Sequence, residues 1–86
     1  MQVDLYTSAF CEPCMMTRAV LAEADRLVSA MTLTEHDIVR DEAAAVSLGI
    51  RSTPTVIISG SDGAEVFRAE GIPSLNQVLA ALAKVA

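Results

Sequence analysis

The two cysteines of this 86-residue chain lie close together, in the segment Cys11-Glu12-Pro13-Cys14. Residues 2–6 alternate between polar and apolar side chains as a strand does, and the residues after the pair carry apolar side chains at helical spacing. With two residues between them, the sulfur atoms can reach each other and form a disulfide. The chain must therefore adopt a fold that presents a cysteine pair where a strand gives way to a helix, a position typical of redox chemistry.

Length and composition limit the number of domains and the classes of partner. A chain of 86 residues forms one domain, residues 1–86, and with one Tyr, two Phe and no Trp its core must be aliphatic. The formal net charge is −5, and the acidic excess lies entirely in residues 1–43. No basic patch is available for nucleic acid, so we expect no nucleic-acid partner.

The sequence carries no sign of export or of membrane insertion. No basic segment followed by a long apolar run opens the chain, and no apolar stretch approaches the roughly 18 residues of a membrane span. We therefore expect a cytoplasmic monomer with no membrane partner. In a reducing cytosol a close cysteine pair is more often catalytic or metal-binding than structural, and so short a loop would stabilise the fold little.

Strand and helix patterns alternate along the whole chain, without a repeat or a linker. Asp41 is placed to cap a short helix that Gly49 ends in the left-handed conformation. Ser74 and Gln77 form a capping-box pattern before the last helix. The consecutive polar residues Glu35, His36 and Asp37 within residues 32–38 suggest an edge strand. The predicted strands are residues 2–6, 32–38, 55–59 and 64–70, and the predicted helices are residues 13–30, 43–48 and 75–85.

This order predicts an α/β fold with a four-stranded mixed sheet, the first and third strands side by side, and helices on both faces. With these elements in place, the chain resembles the thioredoxin superfamily in two stretches. One runs from Tyr6 to Cys14 (YTSAFCEPC), and the other from Leu48 to Ile58 (LGIRSTPTVII), with Gly71 after the next strand. The resemblance covers almost the whole length and implies the thioredoxin-like fold, βαβαββα.

The resemblance also implies where a substrate binds. It places a cis peptide bond between Thr53 and Pro54, facing the cysteines, and leaves the Thr53 backbone free to pair with an extended substrate segment. Phe10, Ile72 and the Thr53–Pro54 edge would then form a small apolar rim that suits a peptide, with Gly71 beside it.

Thiol acidity predicts different roles for the two cysteines. A helix N-terminus favours negative charge at the first cysteine, so Cys11 is the expected nucleophile and Cys14 the resolving thiol. Glu12 and Pro13, which separate them, are expected to modulate the thiol pKa. A Glu12 carboxylate close to Cys11 would disfavour the thiolate and make the protein a reductant. If Glu12 instead points into solvent, it has no such effect.

Departures from the family patterns bear on the subclass. Typical thioredoxins have Trp where this chain has Phe10, and a buried Asp near the position of Leu5. Glutaredoxins usually have a basic residue near Ser8 and a Tyr at the position of Pro13. With few donors for the carboxylates of glutathione, we predict a cytosolic reductant of disulfide-containing client proteins, served by a thioredoxin-reductase-like donor. A glutathione-dependent glutaredoxin is the alternative.

Two further classes remain open from the sequence. A zinc or iron–sulfur module would need more ligands than the pair, and the only other soft ligand is His36, which we expect on the surface of the edge strand. Met15 and Met16 are expected to pack or to line the rim of the site rather than to bind copper. We predict no metal and no cofactor. A binding module that keeps the fold without turnover would have no need of both thiols.

Overall fold

The computed structural model describes residues 1–85 as a four-stranded sheet with three helices. Their order along the chain is the predicted one. The elements are β1 (Gln2–Thr7), α1 (Glu12–Leu27), β2 (Thr32–Asp37), α2 (Glu42–Ser47), β3 (Thr55–Ser59), β4 (Glu65–Glu70) and α3 (Leu75–Ala83). Among the described residues, none of the helices combines the length and apolar character that crossing a membrane requires.

The sheet is mixed, with the strand order β2-β1-β3-β4. β1 runs parallel to β2 and antiparallel to β3, and β3 and β4 form an antiparallel hairpin. β2 lies at an edge, as its polar residues predicted. β3 lies inside the sheet, and its first four residues, Thr55–Ile58, are buried, which explains its run of β-branched side chains. The predicted neighbours, the first and third strands, are confirmed.

The core lies on one face of the sheet, between the strands and the helices α1 and α3. Alternate residues of β1 and β3 point to this face because successive side chains of a strand alternate between faces. The helices supply an aliphatic stripe against them. The fully buried members of this cluster include Val3, Leu5, Leu21, Ala24, Val56, Ile58, Val78, Ala81 and Leu82.

The opposite face is more polar and lies beneath α2. Arg68 of β4 donates a hydrogen bond from Nη1 to the Leu48 carbonyl at 2.7 Å, just beyond the end of α2. Tyr6 stacks on the ring of His36, with ring centroids 4.7 Å apart. His36 Nε2 lies 2.8 Å from Asp4 Oδ1. His36 lies on the edge strand, as expected, but it is partly buried and engaged by its neighbours rather than fully exposed.

The cap expected from Asp41 is also absent. Asp41 occupies the N-cap position of α2, but its side chain makes no capping hydrogen bond. Its Oδ2 lies 3.4 Å from His36 Nδ1 instead. The capping prediction considered only the local sequence, whereas the Asp41 carboxylate contacts the side chain of His36 in β2. Gly49 after the helix does take the predicted left-handed conformation, with φ of 72°.

The two long helices differ in how well their ends were predicted. α3 begins with the predicted capping box, in which Ser74 Oγ accepts from the Gln77 N–H at 3.1 Å and Gln77 Oε1 accepts from the Ser74 N–H at 2.9 Å. α1 ends at Leu27, three residues before the predicted end. Val28 is extended at the C-cap, although it and the buried Met31 continue the apolar spacing of the helix.

Candidate active site

The cysteine pair closes the loop between β1 and α1. Cys11 and Cys14 form a disulfide, with their Cα atoms 5.2 Å apart. The two residues are exposed to different degrees: Cys14 lies in the first turn of α1 and is 1% exposed, whereas Cys11 is partly exposed at the helix start. Only the first cysteine therefore offers a sulfur that an incoming protein can reach.

Cys11 is the N-cap residue of α1. Its Sγ accepts a hydrogen bond from the Cys14 backbone N–H at 3.1 Å, so a sulfur atom occupies the place of the usual oxygen cap. Pro13 lies in the first turn, where its missing N–H leaves no unpaired donor, and its carbonyl accepts from Thr17 Oγ1 at 2.9 Å. Glu12 is exposed and forms no ion pair within residues 1–85. The positive end of the helix dipole thus faces Cys11.

Phe10 has the least usual backbone of the described chain. Its φ is 55°, which makes it the one residue other than glycine with a positive φ among residues 1–85. Its side chain is 106% exposed relative to the reference state, so no packing of the ring explains the conformation. A bulky residue in this region is uncommon and costs free energy. The backbone therefore holds an aromatic ring in solvent next to Cys11.

The second part of the predicted site is the loop before β3. The Thr53–Pro54 peptide bond is cis, and the Pro54 carbonyl accepts from the Gly71 N–H at 2.8 Å. Pro54 is itself buried, so its ring is not available to the predicted apolar rim. Ile72 is 45% exposed. Gly71 has a φ of 96°, a conformation that strains any L side chain.

One hydrogen bond joins the two parts of the predicted site. Ser8 Oγ, in the cysteine loop, lies 2.7 Å from Thr53 Oγ1. The structure therefore brings the cysteine loop and the Pro54 loop together at one end of the sheet. The roles assigned to Glu12, Pro13, Thr53, Gly71 and Ile72 stay predictions.

A groove with a volume of about 820 Å³ lies beside the cysteine loop and along α1, on the side away from the Pro54 loop. Its lining includes Phe10, Cys11, Glu12, Met15, Met16 and Ala19. None of the predicted substrate residues of the Pro54 loop lines it. The sequence did carry a signal for this groove, because Cys11, Met15 and Ala19 are spaced four residues apart and so share one face of the helix.

An ion pair beside the groove was not foreseen from the sequence. Arg18 of α1 binds Glu35 of β2 through two hydrogen bonds, from Nε at 2.7 Å and from Nη2 at 2.8 Å. The hydroxyl of the buried Thr7 also donates to Glu35, at 3.2 Å. These donors, Arg18 first, hold the pKa of Glu35 below its ordinary value, against the opposing effect of burial. The pair fastens α1 to the edge strand.

The alternative of a metal centre has no support from the described residues. Within residues 1–85 no group of three or more His, Cys, Asp and Glu side chains is arranged to hold a metal ion. His36, the one candidate ligand outside the pair, is engaged by Asp4 and Asp41 on the α2 side of the sheet.

Comparison with protein families identifies one match. The model of the glutaredoxin family, described as "Glutaredoxin", matches residues 3–62, well over half of the chain. The matched span includes both cysteines and Pro54 but ends before Gly71 and Ile72. No curated protein matches the chain in sequence.

Solved thioredoxin structures share the architecture. Thioredoxin-2, described as a component of the malaria parasite protein secretion machinery, superposes with a TM-score of 0.88 at 20% identity, over 96% of this chain and 81% of that one. Thioredoxin 1 of Thermosipho africanus TCF52B gives 0.82 at 15% identity, over 98% and 92%. A mutant thioredoxin of Halobacterium salinarum NRC-1 gives 0.86 at 19%, over 98% and 73%. At these identities the likeness establishes the fold, and the predicted thioredoxin-like architecture is confirmed.

Proposed function

The chain belongs to the glutaredoxin family, within the thioredoxin superfamily, and is a thiol-disulfide oxidoreductase; from this premise we propose that it reduces protein disulfides in the cytosol by a dithiol mechanism. The observation that carries the proposal is the unequal exposure of the two sulfurs. Cys11 is partly exposed and caps α1, while Cys14 is buried directly behind it in bonding distance. Such an arrangement suits one thiol that attacks and one that resolves.

In this mechanism the thiolate of Cys11 attacks one sulfur of a client disulfide. The client S–S bond breaks, its other sulfur leaves as a thiolate, and a mixed disulfide joins the client to Cys11. The Cys14 thiolate then attacks Cys11 Sγ, which releases the second client thiolate and forms the Cys11–Cys14 disulfide. The client has gained two electrons, and a donor of the thioredoxin-reductase class returns two electrons to the pair. No bound cofactor is required for either step.

Hydrogen bonding and the helix dipole support Cys11 as the nucleophile. A thiolate at the helix N-terminus is stabilised by the helix dipole by about 0.3–1 kcal/mol. The Cys14 N–H lies 3.1 Å from Cys11 Sγ and would strengthen this preference if the bond persists in the reduced pair. Within residues 1–85 this donor has no counterpart at the Cys14 sulfur.

The experiment that tests the function follows insulin disulfide reduction with two donor systems. One reaction contains NADPH and thioredoxin reductase, and the other contains glutathione, glutathione reductase and NADPH. We expect turnover in the first. Absence of turnover in both would contradict the proposal.

The family match favours one second candidate, a glutathione-dependent reductase. Turnover in the glutathione reaction alone would establish that candidate in place of the first. Two residues argue against this candidate. Glutaredoxins usually have a basic residue near Ser8 and a Tyr at the position of Pro13, and this chain lacks both of these side chains, which would contact glutathione.

The roles of the two cysteines are tested by single substitutions. We expect Cys11→Ser to abolish turnover, and Cys14→Ser to accumulate a mixed disulfide with the client, because the resolving step is lost. Intact-mass spectrometry without reductant detects the adduct. An adduct that forms through Cys14 in the Cys11→Ser variant would reverse the assigned roles.

A further inference from the structure

The groove along α1 lies beside Cys11, and neither step of the proposed reaction uses its apolar side chains. Its lining includes the apolar side chains of Phe10, Met15 and Met16, together with Cys11. We propose that it selects clients in which the attacked cysteine is flanked by an apolar side chain and a basic one. This inference rests on the proposed function, because it names the class of substrate that the cysteine pair serves.

The apolar half of the proposal comes from exposure. Phe10 is 106% exposed, Met15 64% and Met16 56%, and all three face one groove. A contiguous apolar surface of this kind beside a reactive group marks a contact site more often than single exposed apolar residues do. Methionine side chains are flexible and polarisable, so they adapt to aliphatic partners of different shape.

The charged half comes from the ionic groups around the groove. Arg18 also lines the groove, but its guanidinium is paired with the Glu35 carboxylate through two hydrogen bonds, so the pair has no net charge. Glu12 lines the groove next to Cys11, is exposed and has no ion-pair partner among residues 1–85. The free charge of the groove is thus negative, in the half of the chain that also holds the acidic excess. A basic client side chain complements it, and charge complementarity of this kind selects partners.

Position distinguishes this surface from the Pro54 loop. The groove lies on the helix side of Cys11, and Thr53, Pro54, Gly71 and Ile72 do not line it. A client segment can therefore pass Cys11 with one flank on the groove. Phe10 lines the groove with a side chain that is exposed to solvent, on a backbone of positive φ.

Four synthetic peptides with the same intramolecular disulfide test the proposal. The residue on one side of the attacked cysteine is Leu or Ser, and the residue on the other side is Lys or Glu. The measured quantity is kcat/KM for reduction of each peptide by the 86-residue protein. Each value is divided by the rate constant for reduction of the same peptide by dithiothreitol, which removes differences in intrinsic reactivity.

We expect the normalised kcat/KM of the Leu peptides to be about fivefold higher than that of the Ser peptides, because Leu covers the partly exposed side chains of Met15 and Met16. We expect the Lys peptides to exceed the Glu peptides by about threefold at low salt, and by less at high salt, as for an exposed ion pair. Ratios between peptides are unaffected by changes in the reactivity of Cys11, because such changes act on all four peptides equally.

Substitutions assign each preference to its residues. The double substitution Met15→Gln and Met16→Gln should bring the Leu-to-Ser ratio close to one. Glu12→Lys should reverse the Lys-to-Glu preference. Leu27→Gln is the matched control, since Leu27 is a 51% exposed apolar residue at the far end of the same helix, and it should keep both ratios.

Three results would overturn the proposal. Equal rates for all four peptides would show that the groove does not select. Preferences that survive the methionine and Glu12 substitutions would place selection elsewhere. If the wild-type protein reduces neither the peptides nor hydroxyethyl disulfide, the proposed function itself fails. If it reduces hydroxyethyl disulfide but shows no preference among the peptides, only the proposed selectivity of the groove is contradicted.

Discussion

At the scale of single residues, the site depends on side chains held in positions that differ from the usual ones. Cys11 caps a helix with sulfur, Cys14 is buried behind it, and Phe10 is exposed with a positive φ. Burial is usual for a cysteine, so the position of Cys14 follows from its residue type. The sulfur cap at Cys11 and the positive φ of Phe10 do not, and both are set by the backbone path between β1 and α1.

Phe10 gives the first prediction at this scale. Phe10→Gly should change the free energy of unfolding by less than about 1 kcal/mol, because relief of the positive φ offsets the larger entropy of glycine in the unfolded chain. Phe10→Ala, which keeps the backbone penalty, should be no more stable than the glycine variant. Urea denaturation of the oxidised proteins measures both. A loss well above about 2 kcal/mol in the glycine variant would mean that the ring packs against the fold.

Tyr6 gives the second prediction at the scale of single residues. Burial, together with the nearby carboxylates of Asp4 and Asp41, raises its pKa above the ordinary value of 10.0. The neutral phenol is therefore favoured in the folded state, and this contribution to stability is present below pH 10 and is lost as the pH rises through the raised value. Because the chain has one Tyr and no Trp, the absorbance of tyrosinate reports Tyr6 alone.

We expect the spectroscopic midpoint of Tyr6 to lie above that of the same protein in concentrated urea. In Asp41→Asn the folded midpoint should move down, because one of the carboxylates that oppose ionisation has been removed. Equal midpoints in the folded and unfolded states would contradict the burial of Tyr6 against His36.

At the scale of elements, the ends of helices and strands follow from a few local contacts. The capping box of α3 satisfies two backbone donors through Ser74 and Gln77. Ser74→Ala should lower the free energy of unfolding by about 1 kcal/mol, since the first-turn amide loses its acceptor. Chemical denaturation measures the loss. Ser29→Ala is the control, because Ser29 is exposed in the loop after α1 and should leave stability unchanged.

The elements also show which sequence signals were sufficient. Both bounds of β3 were predicted, because an apolar run rich in β-branched residues lies between Pro54 and Gly60, which both interrupt a strand. The end of α1 was not predicted correctly, because Val28 and Met31 keep the helical spacing although the chain already turns toward β2. Periodicity reports burial, and a buried residue outside a helix satisfies it equally well.

The contacts between elements were beyond sequence reasoning. Asp41 and His36 are separated by only a few residues, yet their contact depends on α2 lying over the face of the sheet opposite the core. The same holds for Arg18 and Glu35, which join α1 to β2. In the candidate site, the cysteine pair was foreseen from its spacing, whereas the groove needed the orientation of α1 and of the loop before it.

At the scale of the whole molecule, one layer supplies most of the apolar packing. The main cluster of buried side chains lies between the sheet and the pair α1 and α3, while α2 covers a face with charged and polar groups. A domain of this length has a free energy of unfolding of about 4–13 kcal/mol. Damage to that one layer therefore removes a large share of the total.

Leu21 tests this dependence. It is 0% exposed and belongs to the main cluster, so Leu21→Ala should lower the free energy of unfolding by about 2–5 kcal/mol. Thermal and urea denaturation, both on the oxidised protein, give the change. Leu27→Ala on the same helix removes a half-exposed side chain and should cost much less. Similar losses in the two variants would contradict the proposed arrangement of the core.

The Sγ atom of Cys11 has two roles: it is the exposed sulfur of the redox pair, and it accepts the hydrogen bond that the Cys14 N–H donates in the first turn of α1. Alkylation of that sulfur would weaken it as an acceptor, and the opening turn would then fray. An irreversible inhibitor that alkylates this cysteine should therefore make the first-turn amides of α1 exchange with deuterium faster than before. A covalent change at one atom would then be measured as local unfolding at the start of the helix.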